Sequence, residues 1–363
     1  RVMRRADRAR VEKGRGAVSN PAGRFEGTQF EEADDGWGCL DEPPRRVETV
    51  LAADIPRHAI TRNQSPDVPF DQSVNPYQGC EHGCVYCFAR PSHSYWNLGP
   101  GLDFETRIFH KPGLARLLDR ELSAPGYVCK PINLGANTDP YQPAEREHRT
   151  TRELLEVLLA HRHPVTIVTK GALVLRDLDL LADLARLRLV TVFVSLTTLD
   201  DELKRVLEPR AASPAVRLRV IRSLADAGVP VGVLLAPMIP ALNDHEMERL
   251  LDAAAGAGAT RAAFMLLRLP HELGQLFEQW LREHYPSRAD RVLNLLRDSR
   301  GGRLNDPRFG HRMRGEGAYA RMLSARFQAA SRRLGLDQER RAELDTSQFL
   351  HDPQAPRQGT LFS

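Results

Sequence analysis

No stretch of this sequence reaches the run of about eighteen apolar residues that a membrane-crossing helix needs, so no membrane span or membrane partner is expected. The start, Arg1 to Gly16, is basic and lacks the apolar segment of a secretory leader, and a cytoplasmic location is the expectation. Cysteine is scarce: there are five in 363 residues, an odd number, and three of them fall within eight positions. That distribution excludes a disulfide framework and fits reduced, metal-binding thiols. No repeat of fixed period is present beyond an alternation of strand and helix signals. With 42% hydrophobic and 27% charged residues, the chain reads as an ordinary globular protein, long enough for one large domain plus extensions. The net charge of +4 is mild but uneven, with seven Lys or Arg in the first fifteen residues and many Arg after Leu281. Such clusters meet nucleic acid or acidic cofactors, or simply form solvated helix faces.

Residues 1–70 read as an extension: a basic start, an acidic patch (Glu31, Glu32, Asp34, Asp35), then Pro43 and Pro44. Without an amphipathic period, its first part is expected to be an irregular arm folded on the main body through Phe25, Phe30 and Trp37. Residues 71–270 carry the α/β pattern. Strands are predicted at Ser73–Gly79, Ile132–Asn137, Val165–Thr169, Val190–Leu196, Val229–Ala236 and Ala262–Arg268. Helices are predicted between them at Gly113–Leu122, Arg149–Ala160, Val174–Ala185, Pro214–Ala227 and Asp244–Ala255. Ser213-Pro214 and Asn243-Asp244 supply start signals, and Gly228 a stop. Six βα units are too few for a closed eight-stranded barrel, leaving a partial, open barrel or a doubly wound sheet. In either, ligands bind at the carboxyl ends of the strands. Residues 271–350 turn helical (Glu272–Glu283, Ser287–Arg297, Ala318–Leu334), broken by loops at Gly301-Gly302 and Phe309-Gly310, and 351–363 form a polar tail.

The segment Asn75-Pro-Tyr-Gln-Gly-Cys80-Glu-His-Gly-Cys84-Val-Tyr-Cys87-Phe-Ala-Arg90 follows the first predicted strand. Three thiolates on one short loop can ligate three irons of a cubane cluster and leave the fourth open to a ligand, the condition for a catalytic rather than an electron-carrying cluster. Gly79 and Gly83 relieve crowding where backbone wraps a bulky group. Zinc is the nearest alternative, but a structural zinc site usually takes four ligands in paired spacing, and His82 sits awkwardly inside the loop.

The C-x₃-C-x-aromatic-C loop, with Tyr86 as the aromatic, resembles the signature of radical S-adenosylmethionine enzymes, and the wording around it resembles the subgroup of spore photoproduct lyase and its DNA-repair-photolyase-like relatives. The likeness covers about residues 70–270 and is strongest at the loop. It implies a partial (β/α)6 barrel of TIM type. It implies a four-iron, four-sulfur cluster on Cys80, Cys84 and Cys87, and S-adenosylmethionine chelated at the open iron. One electron would split that cofactor into methionine and a 5′-deoxyadenosyl radical that takes hydrogen from substrate, with Tyr86 beside the adenine. The electron would come from a reductant of flavodoxin or ferredoxin type, and the subgroup tilts the substrate toward a nucleic acid or nucleotide.

Other strand ends offer further candidates. Asn137, Thr138 and Asp139 stand where the family places a Gly-rich segment for the methionine amino group. No Gly-Gly-Glu triplet occurs here, and an Asx-turn reads equally well. Ser195, followed by Thr197 and Thr198, falls where family members bind ribose or carboxylate, though Ser and Thr also occur in strands for ordinary reasons. The fifth strand's end would pack on adenine, while Asn243 reads also as a helix cap. Glu208 and Arg210 offer an ion pair at the barrel mouth or on the surface. Lys170 is a cation for a carboxylate or phosphate, or an exposed loop lysine. Cys39 and Cys129 read as plain small side chains. The stretch Gly135 to Asp139 has no thiol, whereas the lyase returns a hydrogen atom from a cysteine at the end of its second strand. A different class of function also fits the motif: an iron–sulfur, redox-responsive nucleic-acid-binding protein without turnover.

Anaerobic reconstitution is predicted to load one four-iron cluster, and replacing Cys80, Cys84 and Cys87 together by Ala to abolish it. Stoichiometric iron and sulfide in that triple variant would refute the ligand assignment.

Overall fold

The structure, a computed structural model, describes residues 12–25, 47–336 and 344–353. Its strands, in chain order, are β1 Val50–Ala53, β2 Thr61–Arg62, β3 Gln72–Val74, β4 Tyr77–Gln78, β5 Arg107–His110, β6 Ile132–Leu134, β7 Val165–Thr169, β8 Val190–Ser195, β9 Val231–Met238 and β10 Arg261–Leu266. Strands β3, β6, β7, β8, β9 and β10 lie side by side in that order, all neighbours parallel, and β2 adds antiparallel to the outer edge of β3. Consecutive order without a reversal is single winding, which separates a partial barrel from a doubly wound sheet. Strands β3 and β10 do not pair with each other, so the barrel is open.

The reason is visible in the side-chain periods. Along β7, Val165, Ile167 and Thr169 are buried while Thr166 and Val168 are half-exposed, the alternation of a strand with one face under helices and one toward a lumen. Val190, Val192 and Val194 of β8 and Val231, Val233 and Leu235 of β9 join Leu154, Leu158, Leu181, Leu224 and Leu250 from the outer helices in one apolar core. Those helices are Leu114–Leu122, Thr150–Ala160, Leu178–Arg186, Pro214–Asp226 and Met247–Gly256. Ser213 caps the fourth by accepting from the Val216 amide, and Gly228 ends it at φ +74°. The third and fifth are each preceded by a 3₁₀ turn, Ala172–Asp177 and Asp244–Glu246.

One predicted strand is corrected. Ser73–Gly79 is two strands in two sheets, because Pro76 has no amide proton to carry the ladder onward. The chain leaves the barrel there, and β4 pairs antiparallel with β5, which pairs parallel with β1, in a separate three-stranded sheet. The cysteines therefore begin where the chain swings out of the barrel. The short helices Leu102–Thr106, Glu145–His148 and Asp201–Leu207 were not foreseen; the last is capped by Asp200, which accepts from the Glu202 and Leu203 amides.

The helical region (Leu273–His284, Pro286–Asp298, Gly317–Leu334) forms as expected. Leu276, Phe277, Trp280 and Leu293 share a second core with Val85 and Tyr86, so two of these helices are the floor of the cysteine loop. The arm contacts the body differently from the prediction. Ala17 and Val18 enter that same core, whereas Phe25 is 55% exposed and meets the Tyr95 ring, at 5.3 Å, and the Arg24 guanidinium, at 5.4 Å. Phe30, Trp37, Cys39, the acidic patch and the last ten residues lie outside the described residues. Among the described residues no helix is long and apolar enough to cross a membrane.

Candidate cluster and cofactor site

The cysteine loop sits at the carboxyl ends of the parallel strands, and its shape is fixed from behind by two buried charges. Arg90, fully buried, donates from Nε to the Cys84 carbonyl (2.8 Å), from Nη1 to the carbonyls of Pro100 (3.1 Å) and Gly101 (2.8 Å), and from Nη2 to Glu105 Oε1 (2.5 Å). Glu105 in turn accepts from the Gly16 amide (2.9 Å) and the Ala17 amide (2.7 Å), so the arm is stitched to the back of the loop. Space there is minimal. Gly83 holds φ +68°, where a Cβ would stand 2.7 Å from Glu105 Oε2, and a Cβ on Gly16 would stand 1.7 Å from the Gly83 carbonyl oxygen.

From the front, the loop is braced by the segment after β6. Thr138 donates to the Gly79 carbonyl (2.6 Å), Gln142 donates to the same carbonyl (3.1 Å), and Gln142 Oε1 accepts from the Glu81 amide (2.9 Å). The Asx-turn reading of Asp139 holds, since its Oδ1 accepts from the Tyr141 amide (2.9 Å). The same carboxylate also accepts from Thr169 (2.7 Å) and the Lys170 amide (2.8 Å) and faces His82 Nδ1 at 3.2 Å. Burial alone raises this carboxyl, but His82 and the hydrogen bonds outweigh it and hold it down at about 2. Asn137 contributes its backbone amide, donated to Asn75 Oδ1 at 2.7 Å.

The thiols of Cys80 and Cys84 are buried, that of Cys87 is partly exposed, and none is in a disulfide. Burial, with Glu208 adding to it, pushes the Cys84 thiol up to about 12, and burial likewise raises Cys80 and Cys87. Lys170 opposes the rise at Cys84 and Cys87. Its Nζ lies 5.7 Å from the Tyr86 ring centroid and it is half-buried, which corrects the reading of an exposed loop lysine.

Glu208 and Arg210 do not pair with each other. Arg210 reaches Glu81 at 3.2 Å, while fully buried Glu208 bonds Arg217, Tyr86 and Thr197, the last at 2.7 Å. Arg217 also donates to the Ser195 carbonyl at 3.0 Å. Ser195 itself is fully buried, its hydroxyl donating to the Ala236 carbonyl at 3.3 Å. Asn243 makes no side-chain cap, correcting that expectation. Its amide donates to the Thr197 carbonyl (2.9 Å) and the Pro237 carbonyl (3.0 Å) and accepts from the Ile239 amide (2.6 Å), tying the ends of β8 and β9 together. Cys129 precedes β6, at the amino end of the sheet and away from the cysteine loop.

Comparison with known proteins shows the family and the fold. The Radical SAM superfamily profile matches residues 74–254. An uncharacterized protein of Mycobacterium tuberculosis is 39% identical over 232 residues, 63% of this chain and 68% of that protein. The chain belongs to the radical SAM superfamily. An uncharacterized protein of Methanocaldococcus jannaschii is 25% identical over 221 residues, 61% of this chain and 79% of that one. Among solved structures, spore photoproduct lyase superposes with TM-score 0.58 at 16% identity, over 78% of this chain and 79% of that chain. A variant of that lyase with bound AdoMet and dinucleoside spore photoproduct superposes with TM-score 0.57. The shared feature is the fold.

Enzymes of this superfamily use a 4Fe–4S cluster and S-adenosylmethionine. The donor set of this radical SAM chain fits the cluster in its chemistry: three free thiols on one short wrapped loop, with the charges of Lys170 and Arg217 acting on Cys84. Sequence reasoning missed Glu105, Arg217 and Gln142. None carries a motif signal, since a single charged or amide residue among many in a helix or loop looks like surface.

Burial raises the Glu208 carboxyl, but Arg217 and Lys170 outweigh it and hold it down at about 2, against an ordinary 4.5. A depressed carboxyl contributes stability that is present above its unfolded pKa and lost as pH falls toward the folded one. In urea titrations of the metal-free protein, the wild type is therefore expected to lose more stability between about pH 5 and about pH 3 than Glu208→Gln does. Equal losses would show that Glu208 is not held ionised.

Proposed function

We propose that this radical SAM enzyme cleaves S-adenosylmethionine reductively on a cluster held by Cys80, Cys84 and Cys87 and abstracts hydrogen from a nucleotide or nucleic-acid substrate. The observation that carries the reading is a set of three free thiols within eight positions of one loop, braced by polar groups from the ends of successive parallel strands of an open barrel. When bound, the cluster supplies one electron to the cofactor's sulfonium, releasing methionine and a hydrogen-abstracting 5′-deoxyadenosyl radical.

The chain's own residues orient and exclude. Lys170 is the cation for the cofactor carboxylate: it projects from the end of β7 over Tyr86, toward the thiols. Tyr86, held by its hydroxyl on Glu208, offers a fixed ring face for the adenine. Asn137, Thr138 and Asp139 line the side toward the amino group, with Thr138 and Asp139 acting through the loop they brace. Ser195 and Asn243 hold the strand ends that form the adenine floor. The reductant is of flavodoxin or ferredoxin type. The tilt toward nucleic acid rests on the fold shared with spore photoproduct lyase and on the Arg-rich helical region.

Reduced, reconstituted protein given S-adenosylmethionine is expected to release 5′-deoxyadenosine slowly without any substrate, measured by chromatography of the quenched mixture. A cluster-loaded, reduced preparation that binds the cofactor and never cleaves it would favour an iron–sulfur nucleic-acid binder instead. A second expectation concerns spore photoproduct. With no thiol between Gly135 and Asp139, and Cys129 before the amino end of β6, repair through a returning cysteine hydrogen should not occur. Efficient restoration of thymine by wild type, lost in Cys129→Ala with the cluster intact, would overturn that exclusion.

A further inference from the structure

Two residues past the end of β10, on the same end of the sheet as the cysteine loop, stands Arg268. Its guanidinium lies 5.9 Å from the ring centroid of Phe88, the residue after Cys87, and Phe88 is 47% exposed. Among the described residues no ion pair joins Arg268 to a carboxylate. Its Nε is buried without a hydrogen-bond partner, and Nη1 has only the Met313 sulfur at 3.5 Å.

The neighbouring charges do not neutralise it. Asp67, whose charge acts on Arg268, is already committed: its Oδ1 accepts from the Gly310 amide (2.7 Å) and its Oδ2 from Arg312 (2.5 Å). The guanidinium of Arg300, a residue 1% exposed, donates among the described residues to carbonyls of Leu266, Leu267 and Arg312. Asp306, the acid acting on Arg300, is bonded to Arg308. Arg268 thus carries positive charge into a half-buried place beside two further arginines. Burial and the Arg312 charge weigh against it, and the Asp67 charge offsets them only in part. A desolvated cation whose nearby carboxylate is bonded to other donors is incompletely compensated, and a bound anion reduces the penalty.

We propose that Arg268 is the residue through which this enzyme holds an anionic group of its substrate, phosphate or carboxylate, with the Phe88 ring as an adjoining stacking face. The inference rests on the radical SAM reading for the word substrate, and on the geometry alone for the anion. A guanidinium is a planar fork that takes either oxyanion in two parallel bonds, and Phe88 accepts a flat group attached to it.

The test is calorimetry on the full-length, cluster-loaded protein without reductant, with S-adenosylmethionine saturating so that the cofactor's own carboxylate does not compete. The probes are inorganic phosphate, thymidine 5′-monophosphate, thymidine and glutarate. Wild type is expected to bind thymidine 5′-monophosphate or glutarate but not thymidine, the stronger of the two telling phosphate from carboxylate. Arg268→Gln should weaken that binding by about tenfold or more, and Arg268→Lys, which keeps the charge and loses the fork, by less. Phe88→Ala should weaken thymidine 5′-monophosphate and leave inorganic phosphate unchanged. Absence of anion binding by wild type would overturn the proposal, as would wild-type affinity in Arg268→Gln with full iron content. Since no reductant is present, the result stands apart from cofactor cleavage: a protein that cleaves and binds no anion refutes this site alone, and one that binds anions without ever cleaving refutes the catalytic reading alone.

Discussion

Arg90 and Glu105 are buried together behind the cysteine loop, and the placement of everything in front of that loop depends on them. The loop packs its cysteines inward, so its carbonyl and amide groups lie away from any regular ladder. Buried backbone groups without partners are costly. Arg90 satisfies carbonyls on both sides of the turn, at Cys84 and at Pro100 and Gly101, with a single planar head, a task no lysine could perform. Glu105 then offsets the charge and recruits two amides from the arm. Removing one member of such a pair leaves the other charged and dry, at a cost of about 3–5 kcal/mol. The arm is thereby a wall of the site, although it looks like an appendage in the sequence.

A second buried pair, Glu208 with Arg217, does for the barrel mouth what the first does for the loop. Arg217 comes from an outer helix and crosses the sheet end to reach the Ser195 carbonyl, while Glu208 gathers Tyr86 and Thr197. Three elements are locked in register by groups that also set the local field. Glu208 and Asp139 place negative charge near the thiols, and Arg217 and Lys170 place positive charge there. Without cations the carboxylates would oppose thiolate formation further, since like charges in a low-dielectric site disfavour ionisation. The balance explains why acids this close to three cysteines are each tied to a base.

The sequence shows the barrel because repetition shows it. Six apolar β-rich runs separated by helical periods leave few topologies, and Val165–Thr169 and Pro214–Asp226 form within a residue of expectation because alternation and a Ser-Pro start are local signals. The cysteine loop is legible for a similar reason, its spacing being its chemistry. What stays hidden depends on distant partners. Ser73–Gly79 reads as one strand because β propensity does not reveal that Tyr77 pairs with His110 in another sheet. Asn243 reads as a cap, since an Asn before a helix usually is one, yet its amide is spent on carbonyls of the strand ends. Arg217 lies on an amphipathic helix among solvated arginines, and only the fold turns it inward.

The opening of the barrel decides where substrate can enter. In a closed eight-stranded barrel the lumen is filled by layers of side chains and reached only from the top. Here β10 is an edge strand with half-exposed residues from Arg261 to Met265, and an exposed edge invites pairing by another chain. Two features blunt it. Helix Gly317–Leu334 packs Phe327 on Phe264 with ring centroids 4.7 Å apart, and the loop before that helix closes on the strand's carboxyl end as the Leu266 amide donates to the Met313 carbonyl at 3.0 Å. Arg300 fastens the same loop to the carbonyls of Leu266 and Leu267. The edge is thus partly covered at Phe264 and at Leu266, and Arg268 and Phe88 meet between the end of β10 and the cysteine loop. A site that generates a reactive radical must exclude water yet admit its substrate. Helix and loop contacts on the side, with Arg268 and Phe88 between the end of β10 and the cysteine loop, serve both demands without closing the barrel.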